Sequence, residues 1–323
     1  MKIGVVGLGT MGRVHTEAYL RMGVKLVAAY DSDPEVLRNY SETYSIEPAA
    51  DYEHLLQKVD VIDVCTPTFT HLDMAEIAFA LDADVILEKP LALTVEDGEQ
   101  IIRAARESGH RLFVGMVVRF FPQYRRAAEL VRAGELGEVG VARFKRVGFP
   151  PAASWFHDPQ KSGGMPVDLM IHDLDYARWL LGEPTSVFAR RSPPLAGEAL
   201  EHVQAVLSFA SGAVALIEGG WAYPPGYFRT SFDIAGNKGL IEWSSDQPEP
   251  LRGLFPKDEP PLSLGLPMAG LEEDPYELEL RHALAAIESG APFEITPEDA
   301  LAALKLALAV RQSAESGRVA EVA

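Results

Sequence analysis

The sequence predicts an α/β domain with a doubly wound parallel sheet over residues 1–119, followed by an α+β domain with a largely antiparallel sheet over residues 120–323. In the first third of the chain, short apolar runs alternate with helical spacing, which is typical of buried parallel strands and crossover helices. After residue 120, strands follow one another across short polar turns that suit hairpins. The total of 323 residues also exceeds one average domain of about 150 residues.

Composition indicates a globular, acidic chain. Hydrophobic residues make up 47% and charged residues 24%, and 29 Lys and Arg face 47 Asp and Glu, a formal net charge of −18. Such a surface repels phosphate backbones and anionic membranes, so we expect no nucleic-acid partner and no membrane association. No apolar run approaches the ~18 residues of a membrane span. The single cysteine, Cys65, excludes a disulfide framework and a cysteine-cluster zinc site. We therefore expect a cytoplasmic protein without a metal.

The first domain is expected to alternate strands and helices. Asp33 before Pro34 has the pattern of an N-cap followed by proline at the first helical position. Thr94 with Asp97 resembles a capping box. The expected strands cover 2–6, 25–30, 59–65, 84–87 and 111–116, and helices cover 11–22, a segment from 34, 70–81 and 94–108.

The second domain is expected to open with a helix that ends near Gly134 and to close with a helix capped by Thr296, with Pro297 at its first position. The residues from 244 to 274 are rich in Pro, Gly and acids and predict a long loop or excursion. The expected strands cover 139–147, 185–191, 202–209, 214–221, 228–235 and 239–243.

A glycine-rich turn joins the first strand to the first helix. Residues 7–12, GLGTMG, form a G-x-G-x-x-G pattern that permits a tight turn, approach of a pyrophosphate and close helix–strand packing. The pyrophosphate is expected at the helix N-terminus. Asp31 ends the second strand 19 residues after Gly12, where a carboxylate can accept both ribose hydroxyls. Asp31 and Asp33 disfavour a 2′-phosphate, so NAD is expected rather than NADP.

Two further segments leave strands at the same edge of the sheet, where open α/β folds bind ligands. Thr66-Pro67-Thr68 follows one strand, and Glu88-Lys89-Pro90 follows the next. A lysine in this place is either a surface charge or a catalytic cation beside the nicotinamide. The residues alone leave both alternatives open.

The second domain carries a histidine and acids at helical spacing. After Gly163-Gly164, an amphipathic helix is expected to run to Leu181, and Asp168 and His172, at i and i+4, share one face of it. The face is a solvated surface, a metal site that also uses Asp175, or an acid/base pair in which Asp168 orients the His172 ring. Hydride transfer to a nicotinamide requires a proton acceptor, and this favours the acid/base pair.

In this order and at these spacings, the glycine pattern, Glu88-Lys89-Pro90 and Gly163-Gly164…Asp168…His172 resemble the Gfo/Idh/MocA family (glucose–fructose oxidoreductase / inositol 2-dehydrogenase) over nearly the whole chain. The resemblance implies a Rossmann domain joined to an α+β domain whose open sheet packs against another subunit. It also implies hydride transfer between NAD or NADP and a secondary alcohol or ketone of a sugar, polyol or inositol-like compound. Met165-Pro166 departs from the family, which often has a third small residue here, and is expected to reshape the pocket wall.

The resemblance also implies residue roles. Lys89, Asp168 and His172 are expected to be catalytic: His172 takes the hydroxyl proton and Lys89 stabilises the developing alkoxide. Which of Lys89 and His172 accepts the proton first stays open. The residues expected to bind the cofactor are Gly7, Gly9, Thr10, Met11, Gly12, Asp31, Ser32, Thr66, Pro67, Thr68, His71, Glu88 and Lys89.

Substrate contacts are predicted at Arg119, Trp155, His157 and Tyr223, which come from segments that could line the cleft opposite the nicotinamide. Trp155 could stack on a sugar ring. Each of the four is alternatively a packing or surface residue. Because the sequence has no basic cluster, a small neutral sugar or polyol is favoured over a phosphorylated one.

Two other functions fit the same scaffold: an NAD-dependent glycosidase, which oxidises its substrate transiently, and a nicotinamide-sensing regulatory protein without catalysis. The presence of Lys89, Asp168 and His172 together favours the dehydrogenase. A second-domain sheet with one uncovered face needs a partner, so we expect a homodimer or homotetramer.

Overall fold

The computed structural model describes residues 1–192, 201–246, 252–254, 262–263 and 274–322. The chain divides into two compact units. The first contains Met1–Val117 and a later segment that ends at Leu304, and the second begins at Val118 and resumes at Lys305. The sequence patterns did not indicate this return of the chain to the first unit.

The first unit contains a parallel sheet in the order β3-β2-β1-β4-β5-β6. This confirms the doubly wound α/β fold, whose ligand-binding switch point lies between β1 and β4. The short edge strand β3 was not predicted, because it is exposed and pairs over only two residues of β2. The strands are β1 Ile3–Val6, β2 Leu26–Tyr30, β3 Glu47–Pro48, β4 Val61–Val64, β5 Asp84–Glu88 and β6 Leu112–Gly115.

The helices of this part begin largely where the sequence predicts. The Asp33 side chain accepts the Glu35 and Val36 N–H groups, and Thr94 Oγ1 accepts the Asp97 N–H at 3.1 Å. Both predicted caps are therefore confirmed. The helices are α1 Thr10–Arg21, α2 Pro34–Tyr44, α3 Tyr52–Leu56, α4 His71–Ala80 and α5 Val95–Ser108.

The second unit contains a mostly antiparallel sheet, in the order β14-β13-β12-β11-β7-β10-β9-β8-β15 within the described ranges. Only the pair β7–β10 is parallel there. Of the loop or excursion expected over 244–274, the unbroken loop is wrong in part, because β13 and β14 lie within the segment. Residues 247–251, 255–261 and 264–273 are outside the described residues. The strands are β7 Val139–Gly148, β8 Pro184–Arg191, β9 His202–Phe209, β10 Val214–Gly220, β11 Phe228–Gly236, β12 Gly239–Ser244, β13 Arg252–Leu254, β14 Leu262–Ser263 and β15 Ala320–Glu321.

One face of this sheet packs on a helix. The helices here are α6 Pro122–Arg132, α7 Pro159–Ser162 and α8 Ile171–Leu181. Tyr176 of α8 is fully buried, with its ring centroid 4.9 Å from that of Tyr124 and 5.6 Å from that of Phe144. These aromatic contacts hold α8 against β7.

Two helices follow near the C-terminus, α9 Pro275–Ser289 and α10 Pro297–Ser316. The helix α9 was not predicted; it packs on α1, and Asp274 and Glu277 form ion pairs with Arg21. The predicted cap of α10 is present, since Thr296 Oγ1 accepts the Asp299 N–H at 3.1 Å. Within the described part of the chain, no helix combines the length and the apolar character needed to cross a membrane.

Candidate functional site

The glycine turn between β1 and α1 has the shape that a dinucleotide requires. Gly7 has φ +83°, and its N–H donates to Tyr30 O at 3.1 Å. A Cβ at Gly12 would collide with the Gly7 carbonyl oxygen, whereas a Cβ at Gly9 would meet no atom within 4 Å. Gly12 therefore permits packing of α1 on β1, and Gly9 faces open space that a pyrophosphate can enter.

The N-terminus of α1 presents backbone N–H groups. Gly9 is the N-cap residue, no side chain of the described residues caps this end, and the first turn contains no acid. Thr10 is exposed and Met11 is half-buried. The first-turn N–H groups and the helix dipole together favour an anionic group here. The residues present thus fit the pyrophosphate of NAD.

Asp31 lies directly after β2, beside this turn. Its Oδ2 accepts the Leu8 N–H at 2.8 Å, and its Oδ1 accepts the Asp33 N–H at 2.9 Å. These bonds hold the carboxylate at the carboxyl edge of the sheet, and each oxygen keeps a lone pair for a ribose hydroxyl. Ser32, next to it, is exposed.

The segment after β4 forms a hydrogen-bonded turn at the same edge. Thr70 Oγ1 lies 2.7 Å from Thr66 Oγ1 and 2.8 Å from Pro67 O. Thr68 is buried and begins a short 3₁₀ helix, Thr68–Thr70. The turn gives the candidate cofactor contacts of this segment one defined conformation.

His71 joins two of the edge loops. Its Nδ1 lies 2.9 Å from Pro90 O and its Nε2 lies 3.0 Å from Thr66 O, and the side chain is 1% exposed. Burial lowers the pKa of His71, which keeps the ring neutral. The ring therefore braces the loops after β4 and β5 against each other, and the cofactor contact expected for His71 stays a prediction.

Lys89 follows the last residue of β5 and is half-buried, and its peptide bond to Pro90 is cis. Glu88 is only 6% exposed, and its Oε2 accepts the Lys89 N–H at 3.0 Å. The Glu88 carboxylate is thus engaged inside the first unit. Glu88 is thus a structural partner of Lys89, and the cofactor contact expected for Glu88 stays a prediction.

Beside Glu88 lies a buried polar cluster that the sequence patterns did not reveal. His15 Nδ1 is 2.9 Å from Asp63 Oδ2, and His15 Nε2 is 3.1 Å from Glu88 Oε1. The Tyr19 hydroxyl donates to Asp63 Oδ2 at 2.9 Å, and Cys65 Sγ lies 3.4 Å from Asp63 Oδ1. The available signal was an acid, Asp63, in the middle of an otherwise apolar strand.

The charges of this cluster follow from its geometry. Burial lowers the pKa of His15, but the Asp63 carboxylate beside the ring outweighs this and raises the pKa well above its usual value, so the ring is an imidazolium. Burial also raises the pKa of the Cys65 thiol, which stays protonated. The potential ligand atoms of His15, Asp63 and Cys65 lie within 4.8 Å of one another. Hydrogen bonds already join them, so we assign an ionic network rather than a metal centre.

In the second unit, the regular helix expected up to Leu181 is wrong in its first part. Gly163 and Gly164 have φ +76° and +79°, and Pro166–Met170 is a π-helical turn that precedes α8. Pro166 has no N–H to donate, and the side chains of Met165 and Met170 lie against Gly219 of β10. Met165-Pro166 thus coincides with a local change of helix type.

Asp168 lies in the π-helical turn and is 7% exposed, while His172 lies in the first turn of α8 and is half-buried. Because a π-helical turn rotates successive residues less than an α-helix does, α-helical i, i+4 spacing by itself no longer establishes a shared face. Turns of this type occur frequently at functional sites.

The other acids of α8 bind buried arginines. Asp175 accepts bonds from Arg119 Nε at 2.7 Å and Nη2 at 2.5 Å, and both side chains are 1% exposed. Asp173 accepts the Arg146 Nε–H at 2.7 Å. Arg119 therefore matches the second of its two expected alternatives, that of a packing residue. Asp175 already binds an arginine, which disfavours its use as a metal ligand.

The remaining substrate candidates lie in the second unit. Trp155 is half-buried, and its ring stacks on Phe156 at 3.7 Å. His157 ends the same 3₁₀ helix, Ser154–His157, and is exposed. Tyr223 is half-buried and stacks on Tyr227 at 5.0 Å.

Known proteins share both parts of this arrangement. The family model for oxidoreductases with an NAD-binding Rossmann fold matches residues 1–116, and the model for the GFO/IDH/MocA C-terminal domain matches residues 124–242. The chain belongs to the Gfo/Idh/MocA oxidoreductase family. It is thus an NAD-binding dehydrogenase that acts on a CH–OH donor, which confirms the expected family, cofactor and enzyme class.

Individual relatives extend over the full length. Inositol 2-dehydrogenase of Rhizobium meliloti is 30% identical, over 99% of this chain and 98% of its own. Myo-inositol 2-dehydrogenase of Thermotoga maritima is 30% identical, over 98% and 97%. The crystal structure of GenD2 from gentamicin A biosynthesis, in complex with NAD, is 27% identical with a TM-score of 0.88, covering 100% of this chain and 96% of that one.

Proposed function

We propose that this protein interconverts a secondary alcohol and the corresponding ketone of a neutral sugar, polyol or inositol. The observation that carries the proposal is the position of Lys89, at the carboxyl end of β5 on the sheet edge that also carries the glycine turn and Asp31. The named activities of the two inositol dehydrogenases support the polyol class. The net charge of −18 favours a neutral substrate over an anionic one.

The proposed roles follow the bonds that change. The substrate carbon loses a hydride and its hydroxyl loses a proton, and bound NAD supplies the hydride acceptor. His172 accepts the proton, Asp168 orients the His172 ring, and Lys89 stabilises the developing alkoxide. The roles of Asp168 and His172 rest on the family membership, and that of Lys89 rests also on its place directly after β5.

For the substrate, we propose contacts at Trp155, His157 and Tyr223. The Trp155 and Tyr223 rings are each stacked on a neighbouring aromatic ring, and each offers an apolar surface on which a sugar ring can pack. The exposed His157 supplies a polar group. Arg119 is omitted because its guanidinium is held by Asp175.

The test is formation of reduced nicotinamide by the purified protein, with NAD and then NADP, across a panel of polyols, aldoses and inositols. Lys89→Met is expected to lose ~10²–10⁴-fold in turnover, the usual contribution of such catalysis, while NAD affinity is retained. Lys25→Met, which removes an exposed lysine before β2, is the matched control. Retention of most of the rate by Lys89→Met would overturn the catalytic assignment.

The same panel separates the other functions. Tight NAD binding with no turnover on any compound would contradict the dehydrogenase proposal. Hydrolysis of aryl glycosides would then identify a glycosidase, and its absence would favour a sensor.

We also propose a homodimer or homotetramer formed through the sheet of the second unit. Phe188, Val206 and Leu216 are paired across β8, β9 and β10, so they lie in one row on one face. Phe188 and Leu216 are each 37% exposed, which is unfavourable for an apolar row unless a partner covers it. Light scattering should show an oligomer that Leu216→Glu weakens; a monomeric wild type would refute the proposal.

A further inference from the structure

We infer that Glu88 and His15 are positioning residues for Lys89: His15, held between the carboxylates of Asp63 and Glu88, fixes Glu88, which in turn holds the backbone of Lys89. This inference rests on the catalytic role proposed for Lys89. It assigns a task to the buried cluster, which the proposed reaction does not otherwise use.

The two oxygens of Glu88 have different partners. Oε1 lies 3.1 Å from His15 Nε2, and Oε2 accepts the Lys89 N–H at 3.0 Å. The first contact is an ion pair that lacks hydrogen-bond geometry, and the second is a hydrogen bond. The side chain is only 6% exposed, so water competes little for it, and the two contacts together restrict the orientation of the carboxylate. The end of β5 is therefore fixed where Lys89 leaves the sheet.

His15 is fixed from its other side. Its Nδ1 is 2.9 Å from Asp63 Oδ2, and the same oxygen accepts the Tyr19 hydroxyl at 2.9 Å. Since His15 and Tyr19 lie on α1 and Asp63 lies on β4, the network links the helix of the glycine turn to the strand beside β5. The element that carries the pyrophosphate site is thus connected to the element that carries Lys89.

The helix α9 closes this cluster with a second carboxyl group. Glu279 is fully buried, and neither of its side-chain oxygens has a hydrogen-bond partner among the described residues. Burial and then the neighbouring Glu88 raise the pKa of Glu279 well above its usual value, so it is neutral. Gly115 of β6 lies beside both carboxyl groups: a Cβ added there would be 3.4 Å from Glu88 Oε1 and 3.7 Å from Glu279 Oε1. Because glycine has no side chain, both carboxyl groups fit at this point.

Because Glu279 is neutral, the ionic contacts of the cluster are those that His15 makes with Asp63 and Glu88. Titratable groups from four elements face His15. They are Tyr19 on α1, Asp63 and Cys65 at β4, Glu88 on β5, and Tyr276 and Glu279 on α9. The ring centroid of Tyr276 lies 6.0 Å from that of His15. Glu279 belongs to the cluster without bonding to Lys89, which makes it the matched control.

The experiment compares Glu88→Gln with Glu279→Gln in the full-length protein. Glu88→Gln removes the charge that His15 holds, so kcat should fall ~10–100-fold through misplacement of Lys89, with KM for NAD and for substrate nearly unchanged. Glu279→Gln should retain the wild-type kcat. Equal losses in both variants, or a wild-type kcat in Glu88→Gln, would overturn the positioning role. Glu88→Asp, which keeps the charge but shortens the reach, serves if Glu88→Gln does not fold, and should show a smaller loss of the same kind.

A second readout does not depend on turnover. Lysines dimethylated with ¹³C give separate NMR signals, and the Lys89 signal is the one missing from Lys89→Met. In Glu88→Gln this signal should change its chemical shift, because the backbone of Lys89 loses its fixed position, whereas in Glu279→Gln it should match the wild type. An unchanged Lys89 signal in Glu88→Gln refutes the inference. Absence of dehydrogenase activity in the wild type, with the NMR result as expected, refutes the proposed function alone.

Discussion

Arg119 and Asp175 form a two-point ion pair inside the second unit, with N–O distances of 2.7 and 2.5 Å and both side chains 1% exposed. The Arg119 guanidinium carbon also lies 5.3 Å from the ring centroid of Trp179. The pair joins the start of this unit to α8, the helix that carries His172. The position of a proposed catalytic residue thus depends on a buried charge pair.

Asp175→Asn should destabilise the protein by about 3–5 kcal/mol, because it leaves the Arg119 charge buried without its counter-charge. Chemical denaturation measures the change. Asp233→Asn is the control, since the ion pair of Asp233 with Arg143 is partly exposed, with side-chain exposures of 33% and 56%, and should contribute about 0–1 kcal/mol. Similar losses in the two variants would contradict the assigned importance of burial.

Two glycines of the nucleotide turn should respond differently to alanine. Gly12→Ala brings a Cβ against the Gly7 carbonyl and should destabilise the first unit by about 1–3 kcal/mol. Gly9→Ala meets no atom within 4 Å, so its melting temperature should stay near wild type while NAD affinity falls. Thermal denaturation and quenching of protein fluorescence by NADH measure the two effects. A Gly9→Ala variant with unchanged affinity would contradict a pyrophosphate at this position.

Asp31→Asn should weaken NAD binding roughly 10–100-fold, because hydrogen bonds to a charged group contribute about 1.5–3 kcal/mol. The discrimination against NADP should fall as well, since the negative charge that repels a 2′-phosphate is lost. Isothermal titration with both cofactors checks this. Asp84→Asn is the control: Asp84 accepts the Arg111 N–H at 2.7 Å at the opposite end of the strands and should leave both affinities unchanged.

Glu279→Gln should stabilise the protein at pH 8 more than at pH 5. The folded-state pKa of Glu279 is raised above its usual value of 4.5, so its stabilising contribution is complete below that value and is lost as pH rises through the folded pKa. Glutamine does not titrate, and each unit of pKa difference corresponds to about 1.4 kcal/mol. Denaturation at the two pH values measures the gain. Glu288→Gln, at an exposed position of α9, is the control and should show no such dependence on pH. A gain in stability that is equal at both pH values would refute a buried, neutral Glu279.

The parts of the fold that depend on nearby residues could be predicted. The cap at Asp33, the cap at Thr94 and the strand at β9 all follow from residues within a few positions of each other. The π-helical turn at Pro166–Met170 could not be predicted, because the spacing of its residues is also that of an α-helix, and its flanking Met165 and Met170 lie against Gly219, about 50 residues further along the chain. A pattern of helical spacing depends only on residues close together in the sequence, so it contains no information on contacts with distant residues.

The sequence by itself determined the dinucleotide turn, the place of Lys89 after a buried strand and the family, since these depend on glycine geometry, strand polarity and the order of local motifs. Only the tertiary structure decided that His71 braces two loops, that Arg119 is paired with Asp175, and that Glu88 faces His15. The physical reason is that a charged or polar side chain buried away from water takes whichever partner the packing brings to it. His15 and Glu88 stand on different elements, and it is the pairing of β1, β4 and β5 in one sheet, with α1 packed on it, that brings them together.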